Sequence, residues 1–142
     1  MPTALENYLP HRPPFLFVNE VDATDDGKRI TGHYTFTEDN FFFAGHFPGN
    51  PVVPGVILVE TLAQCGGAGL SVAKCVPDGV VYTLASIDEV KFHRIVRPNE
   101  RLDIEVETLR LKKSIVQQEG KGYVNGELAL SAKWLSAFSV KS

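Results

Sequence analysis

The 142-residue chain predicts an α+β domain in which a curved antiparallel sheet encloses one long helix. Two observations carry this expectation. Residues 56–73 are apolar or small at almost every position, with Glu60 the only charge; a helix with no polar face must be wrapped by other elements. The runs before and after it are rich in β-branched and aromatic residues, several alternating with a period of two, and they follow one another rather than alternating with helices. The length suits one domain, 1–142, with room for one core.

Each element has a local reason. ALENYL can form one or two helical turns before Pro10, whose missing amide hydrogen stops them. FLFVNEVDAT and KRITGHYTFTED flank Asp25, Asp26 and Gly27 and read as a hairpin. From Asn40 to Pro54 there is no regular period, and Phe41, Phe42 and Phe43 demand burial, so this is a packed, ordered loop. Pro54 then stands where helix starts tolerate proline. The helix could reach about 27 Å, enough by length to suggest a membrane span. Its glycines, Glu60 and Gln64 favour a soluble core helix instead. GVVYTLASIDEVKF is a strand. In RLDIEVETLRL, Leu102, Ile104 and Val106 alternate with acids until Leu109 and Leu111 break the phase, which predicts a bulge near Thr108. SIVQQEGKGYV and ELALSAKWLSAF meet at Asn125-Gly126, a strong tight-hairpin signal. One such sheet cannot cover the helix alone, so pairing of two chains is expected, with Gly66, Gly67, Ala68 and Gly69 inviting close packing.

A net charge of -3 argues against nucleic-acid binding, which depends on excess Lys and Arg facing phosphates. The N-terminus lacks a basic segment followed by an apolar run, so a cytoplasmic address is expected. Cys65 and Cys75, ten positions apart on one expected helix, would be about 15 Å apart and unable to bridge, which fits a reducing compartment. His11, His33 and His93 show no metal-ligand spacing with His46 or the cysteines, so no metal site is expected.

The stretch GHFPGNPVVPGVILVETLAQ concentrates the candidate chemistry. A buried carboxyl such as Glu60 must find donors or stay protonated, and a neutral acid is a usable proton donor. Gln64, four residues on, shares its helical face and could orient it. A structural pairing with a polar loop or partner chain is the alternative. Histidine is the side chain whose unperturbed pKa lies near neutrality, so His46 could act as a base, although a solitary loop histidine is more often structural. Glycines and prolines around it stiffen the path into the helix. The helix start, Pro54-Gly55-Val56, leaves unpaired amides at a positive dipole end with no side chain at Gly55 to block an oxygen. This is an oxyanion site in waiting, or a plain proline-glycine helix start.

Three segments, LPHRPPFLFVNEV, FFFAGHFPGNPVVPGVILVETLAQ and LASIDEVKFHRIVRPNERL, resemble in order and spacing the (3R)-hydroxyacyl-carrier-protein dehydratases of the FabZ type. The likeness runs from about Leu9 to Phe138. It implies the hot-dog fold, a sheet wrapped around a long central helix. It implies His46 and Glu60 as catalytic residues facing each other across a dimer interface. The Gly55 amide, helped by Val56, would bind the thioester carbonyl, and Gln64 would position the acid. The implied reaction removes water from a 3-hydroxyacyl thioester to leave a trans-2-enoyl thioester, with no cofactor, the phosphopantetheine arm belonging to the acyl carrier protein. Lys91, Arg94 and Arg97 in KFHRIVR would dock that acidic carrier; without the family they read as a solvated strand end. The resemblance further implies a homodimer, often three dimers in a hexamer; the polar and small residues of the helix imply no membrane span. Glutamate rather than aspartate at position 60 favours the dehydratase-only branch over FabA-type dehydratase/isomerases. A hot-dog thioesterase using Glu60 to activate water and a non-catalytic acyl-thioester-binding subunit stand as alternatives.

Overall fold

The computed structural model describes residues 5–140. The first four residues of the chain, where the ALENYL turns begin with Ala4, lie outside the described residues. Leu5–Asn7 forms a single 3-10 turn (η1), ahead of Pro10. Six strands and one α-helix follow: β1 (Glu20–Ala23), β2 (Arg29–Thr35), α1 (Gly55–Val72), β3 (Val80–Phe92), β4 (Arg101–Lys112), β5 (Ile115–Val124) and β6 (Glu127–Val140). All pair antiparallel in one sheet of order β1-β2-β4-β5-β6-β3. α1 packs on one face of that sheet, so the α+β, hot-dog arrangement expected from the sequence is what forms.

The registers explain themselves residue by residue. Leu102, Ile104 and Val106 are buried on β4 toward the helix while their acidic neighbours face outward. The phase break expected at Thr108 is a register shift between Thr108 and Arg110 against β5. At the β5–β6 turn Asn125 and Gly126 both adopt positive φ, 50° and 79°, the left-handed pair that a two-residue hairpin with matching strand twist requires.

Four expectations differ from the structure for identifiable reasons. The first hairpin is shorter than FLFVNEVDAT suggests, because the Phe17 amide donates to Gln64 Oε1 at 2.8 Å rather than to a strand. FLFV therefore lies over the helix, with Phe17 fully buried among Tyr34, Phe36 and Phe42. Of the three consecutive phenylalanines only Phe43 is buried; Phe41 is 56% exposed, since successive residues in a turn cannot all point inward. The helix stops at Val72, and Cys75 lies beyond it. Lys74 takes the left-handed conformation (φ 59°), its amide bonding to Ser71 O and that of Cys75 to Leu70 O, the paired bonds of a Schellman stop.

The fourth difference concerns the helix glycines. Rather than presenting backbone to a second chain, all of Gly66 to Gly69 is buried within this one. A methyl at Gly66 would strike Gln118 and one at Gly69 would strike Ile30. The small residues let β2 and β5 lie close to the helix axis, and Gln118 uses that closeness to donate to Gly66 O at 3.2 Å. The face left open is elsewhere. β3 is a 13-residue strand with its outer edge unpaired, and Ile87, Phe92, Ile95, Phe47 and Val56 are exposed apolar residues.

Candidate active site

Glu60 projects from the second turn of α1 and its side chain is 19% exposed. Gln64, one turn on, donates from Nε2 to Glu60 Oε2 at 3.0 Å. The same amide is pinned at both ends: Nε2 also donates to Phe15 O at 3.2 Å, and Oε1 accepts from Phe17 N. Gln64 is 2% exposed. It ties the carboxyl to the FLFV segment, and the four-residue spacing brings amide and carboxyl within hydrogen-bond reach.

Sequence pattern alone does not assign His11 to this site. Its Nε2 stands 3.4 Å from Glu60 Oε2, and its Nδ1 is buried without a partner among the described residues. The signal available was its setting, LPHRPP, a histidine stiffened by prolines as His46 is. Leu9, His11, Glu60, Ala63, Gln64, Tyr82, Leu84 and Ser136 line a cavity of about 30 Å³. That volume holds a water molecule but no acyl chain. The Tyr82 hydroxyl donates to Gly67 O at 3.0 Å and lies 3.2 Å from Ser71 Oγ; burial pushes it up to about 12. It therefore stays a neutral phenol and part of the wall.

His46 is fixed at the other end of the same segment. Its amide donates to Phe42 O and its carbonyl accepts from Val52 N, while Phe47 and Asn50 exchange a pair of backbone bonds beneath it. Gly49, at φ 74°, closes that turn. The ring stacks on Phe47 with centroids 4.1 Å apart, and Nδ1 lies 2.9 Å from Val52 O. A carbonyl oxygen only accepts, so Nδ1 carries the hydrogen and the neutral ring keeps its lone pair on Nε2. Nε2 is a base in form. His46 and Glu60 share no contact within the chain: the histidine does not line the Glu60 cavity.

Between them the helix begins. Ile57 and Leu58 both donate back to Pro54 O, at 3.0 and 3.2 Å. The amides of Gly55 and Val56 have no protein acceptor among the described residues, and they sit at the positive end of an 18-residue helix. The Phe92 ring lies against Gly55 where a Cβ would be, so no larger residue fits there without moving the ring. The helix start therefore leaves two adjacent amides free to donate.

The basic cluster separates. Arg94 is engaged by Glu100 at 2.7 Å and Glu127 at 3.4 Å. Arg97 is exposed, its amide held by Glu100. Lys91 faces outward beside Lys121 and Lys133, lining a groove of about 670 Å³ on the sheet face away from the helix. That groove is large and charged, and its lining includes none of His11, His46, Gly55, Glu60 or Gln64.

Residues 9–133 match the FabA-like domain family model. The chain belongs to this family. It is 39% identical over 97% of its length to the 3-hydroxyacyl-[acyl-carrier-protein] dehydratase FabZ of Desulforamulus reducens, covering 96% of that protein. To the same-named protein of an Anaeromyxobacter species it is 41% identical, over 94% of this chain and 86% of that one. Among solved structures, the dehydratase heterocomplex ApeI:P from Xenorhabdus doucetiae superposes with a TM-score of 0.81 at 18% identity, covering 99% of this chain and 93% of that one. A Streptococcus pneumoniae protein described as a hypothetical thioesterase with coenzyme A superposes at 0.62 with 9% identity, over 87% and 85% of the two chains. At such identities these two structures establish the hot-dog fold and no more.

Proposed function

We propose that this protein is a 3-hydroxyacyl-[acyl-carrier-protein] dehydratase of fatty-acid or related acyl-chain synthesis. The observation that carries this reading is the full-length likeness to FabZ dehydratases at 39–41% identity. The geometry supports a division of labour. His46 Nε2, the free lone pair, takes a proton from C2 of the thioester. Charge that develops on the carbonyl oxygen is met by the Gly55 and Val56 amides. The Glu60 carboxyl, aimed by Gln64, delivers a proton to the C3 hydroxyl; the C3–O bond breaks, water leaves, and the C2=C3 double bond forms. Proton exchange with solvent resets both groups. No cofactor takes part.

The active unit under this reading is a homodimer. His46 and Glu60 do not meet within one chain, and the Glu60 cavity alone is too small for substrate. The open edge of β3 and the exposed Phe47, Val56, Ile87 and Phe92 supply an apolar rim for a second copy. His46 of one protomer would then work with Glu60 of its partner, and three dimers would form a hexamer. Acyl carrier protein would dock through Lys91 and Arg97, with Arg94 bracing the loop between them.

The test incubates the protein with a 3-hydroxyacyl carrier-protein thioester and follows enoyl absorbance alongside free thiol. Enoyl product without thiol is expected. Thiol release instead would move the protein to the thioesterases, and neither product across varied chain lengths and carriers would remove both enzymatic readings.

A further inference from the structure

We propose that His11 is a positioning residue for Glu60, holding one carboxylate oxygen so that the other is left to work; this rests on the catalytic reading of Glu60. Both neighbours of the carboxyl converge on Oε2: Gln64 Nε2 at 3.0 Å and His11 Nε2 at 3.4 Å. Oε1 has no partner among the described residues. An oxygen already committed to two neighbours is poorly placed to exchange a proton with substrate, so Oε1 is the working atom. The His11 contact is longer than a well-formed hydrogen bond, and contacts of this kind tighten when substrate is bound.

The chain holds His11 in place by means unrelated to its ring. Arg12 Nη1 donates to Leu9 O at 2.8 Å and to His11 O at 2.7 Å, while Nη2 reaches Glu6 O at 3.1 Å. One guanidinium thus gathers three carbonyls and fixes the turn that carries the histidine. Leu9, 3% exposed, anchors the same turn in the core. With Nε2 turned to a carboxylate, the hydrogen belongs on Nε2, and buried Nδ1 keeps only a lone pair. Gln64 alone restrains Oε2 from one side; His11 supplies the second restraint, from a segment outside the helix, and two restraints fix rotation about the carboxyl axis.

The experiment compares His11→Ala, His11→Gln, Glu60→Gln and the double variant His11→Ala/Glu60→Gln in the full chain, with a 3-hydroxyacyl carrier-protein thioester as substrate. Removing one of the two restraints that orient the acid should lower kcat about tenfold and leave KM unchanged. His11→Gln, which can present an amide hydrogen to Oε2, should stay within about threefold of the parent. In the Glu60→Gln background His11→Ala should cost nothing further, since its effect passes through Glu60. An unchanged kcat in His11→Ala, or losses that multiply in the double variant, would overturn the proposal while leaving Glu60 catalytic. Full activity in Glu60→Gln would remove the underlying reading itself. If His11→Ala does not fold, His11→Asn, which keeps a planar amide too short to reach Oε2, replaces it with the same expected and overturning results.

Discussion

The Glu60 end of the candidate site and the His46 end are built on opposite plans. Glu60 is enclosed by its own chain: an amide bracket, a histidine and an apolar wall all come from residues within one protomer. His46 has its backbone and Nδ1 secured, yet around it Phe47 is 50% exposed, Val56 77% and Phe92 52%. The first end is a finished socket; the second is a positioned imidazole on a face that one chain leaves bare. A carboxyl needs a closed setting to control its proton, whereas a base aimed at a carbon acid needs only a fixed lone pair and room for substrate.

The sharpest way to break this contrast is to inactivate each end separately. His46→Ala and Glu60→Gln should each lower kcat by about a hundredfold or more. Mixed and allowed to exchange subunits, they should recover about a quarter of parental activity, because half of the dimers would be mixed and each would hold one intact site. No recovery despite exchange verified by mass spectrometry would place both groups in one chain's site. Ile87→Lys, on the exposed edge of β3, tests the bare face alone. It should shift sedimentation toward monomer and abolish turnover while circular dichroism is unchanged.

Gly55→Ala addresses the seam between the two ends. The added methyl must displace the Phe92 ring and with it the helix start, so kcat should fall about tenfold or more, measured by steady-state turnover. Within the closed end, Gln64→Leu strands the Phe17 amide in the core and should cost about 1–3 kcal/mol of stability in urea unfolding. The last effect is alkaline. Burial pushes the Cys65 thiol from 9.0 to about 12, and Tyr82 from 10.0 to about 12. The unfolded chain releases these protons first, so the folded state binds more protons between pH 9 and 12 and loses stability as pH rises through that window. Thermal melts should show a decline beginning near pH 9, shallower in Cys65→Ala.

The closed end was largely legible in the sequence, because a charge in an apolar helix and an amide four positions on specify each other through helical geometry. The strands were legible for the same reason: period, bulge and the Asn125-Gly126 turn are local signals. His11 was missed because it reaches Glu60 from 49 positions away, and nothing local records that meeting. The burial of the glycines against Ile30 and Gln118 was missed for the same cause: small residues on a helix signal close approach but do not say to what. The splitting of Lys91, Arg94 and Arg97 follows from Glu100 and Glu127, one nearby and one on a distant strand, competing for Arg94.

The apolar helix has one further consequence, in the order in which the chain is made. α1 is complete at Val72, yet β4 and β5, which cover much of it, end at Lys112 and Val124. At synthesis rates of about 5–20 residues per second, roughly two to ten seconds pass between the helix and the completion of its cover. During that interval the ribosome displays a segment whose length and composition pass for a membrane span. The hydrophobicity that later isolates the Glu60 carboxyl is, for those seconds, an invitation to chaperones and to the insertion machinery, and Glu60 with its glycine neighbours is what weakens the second invitation.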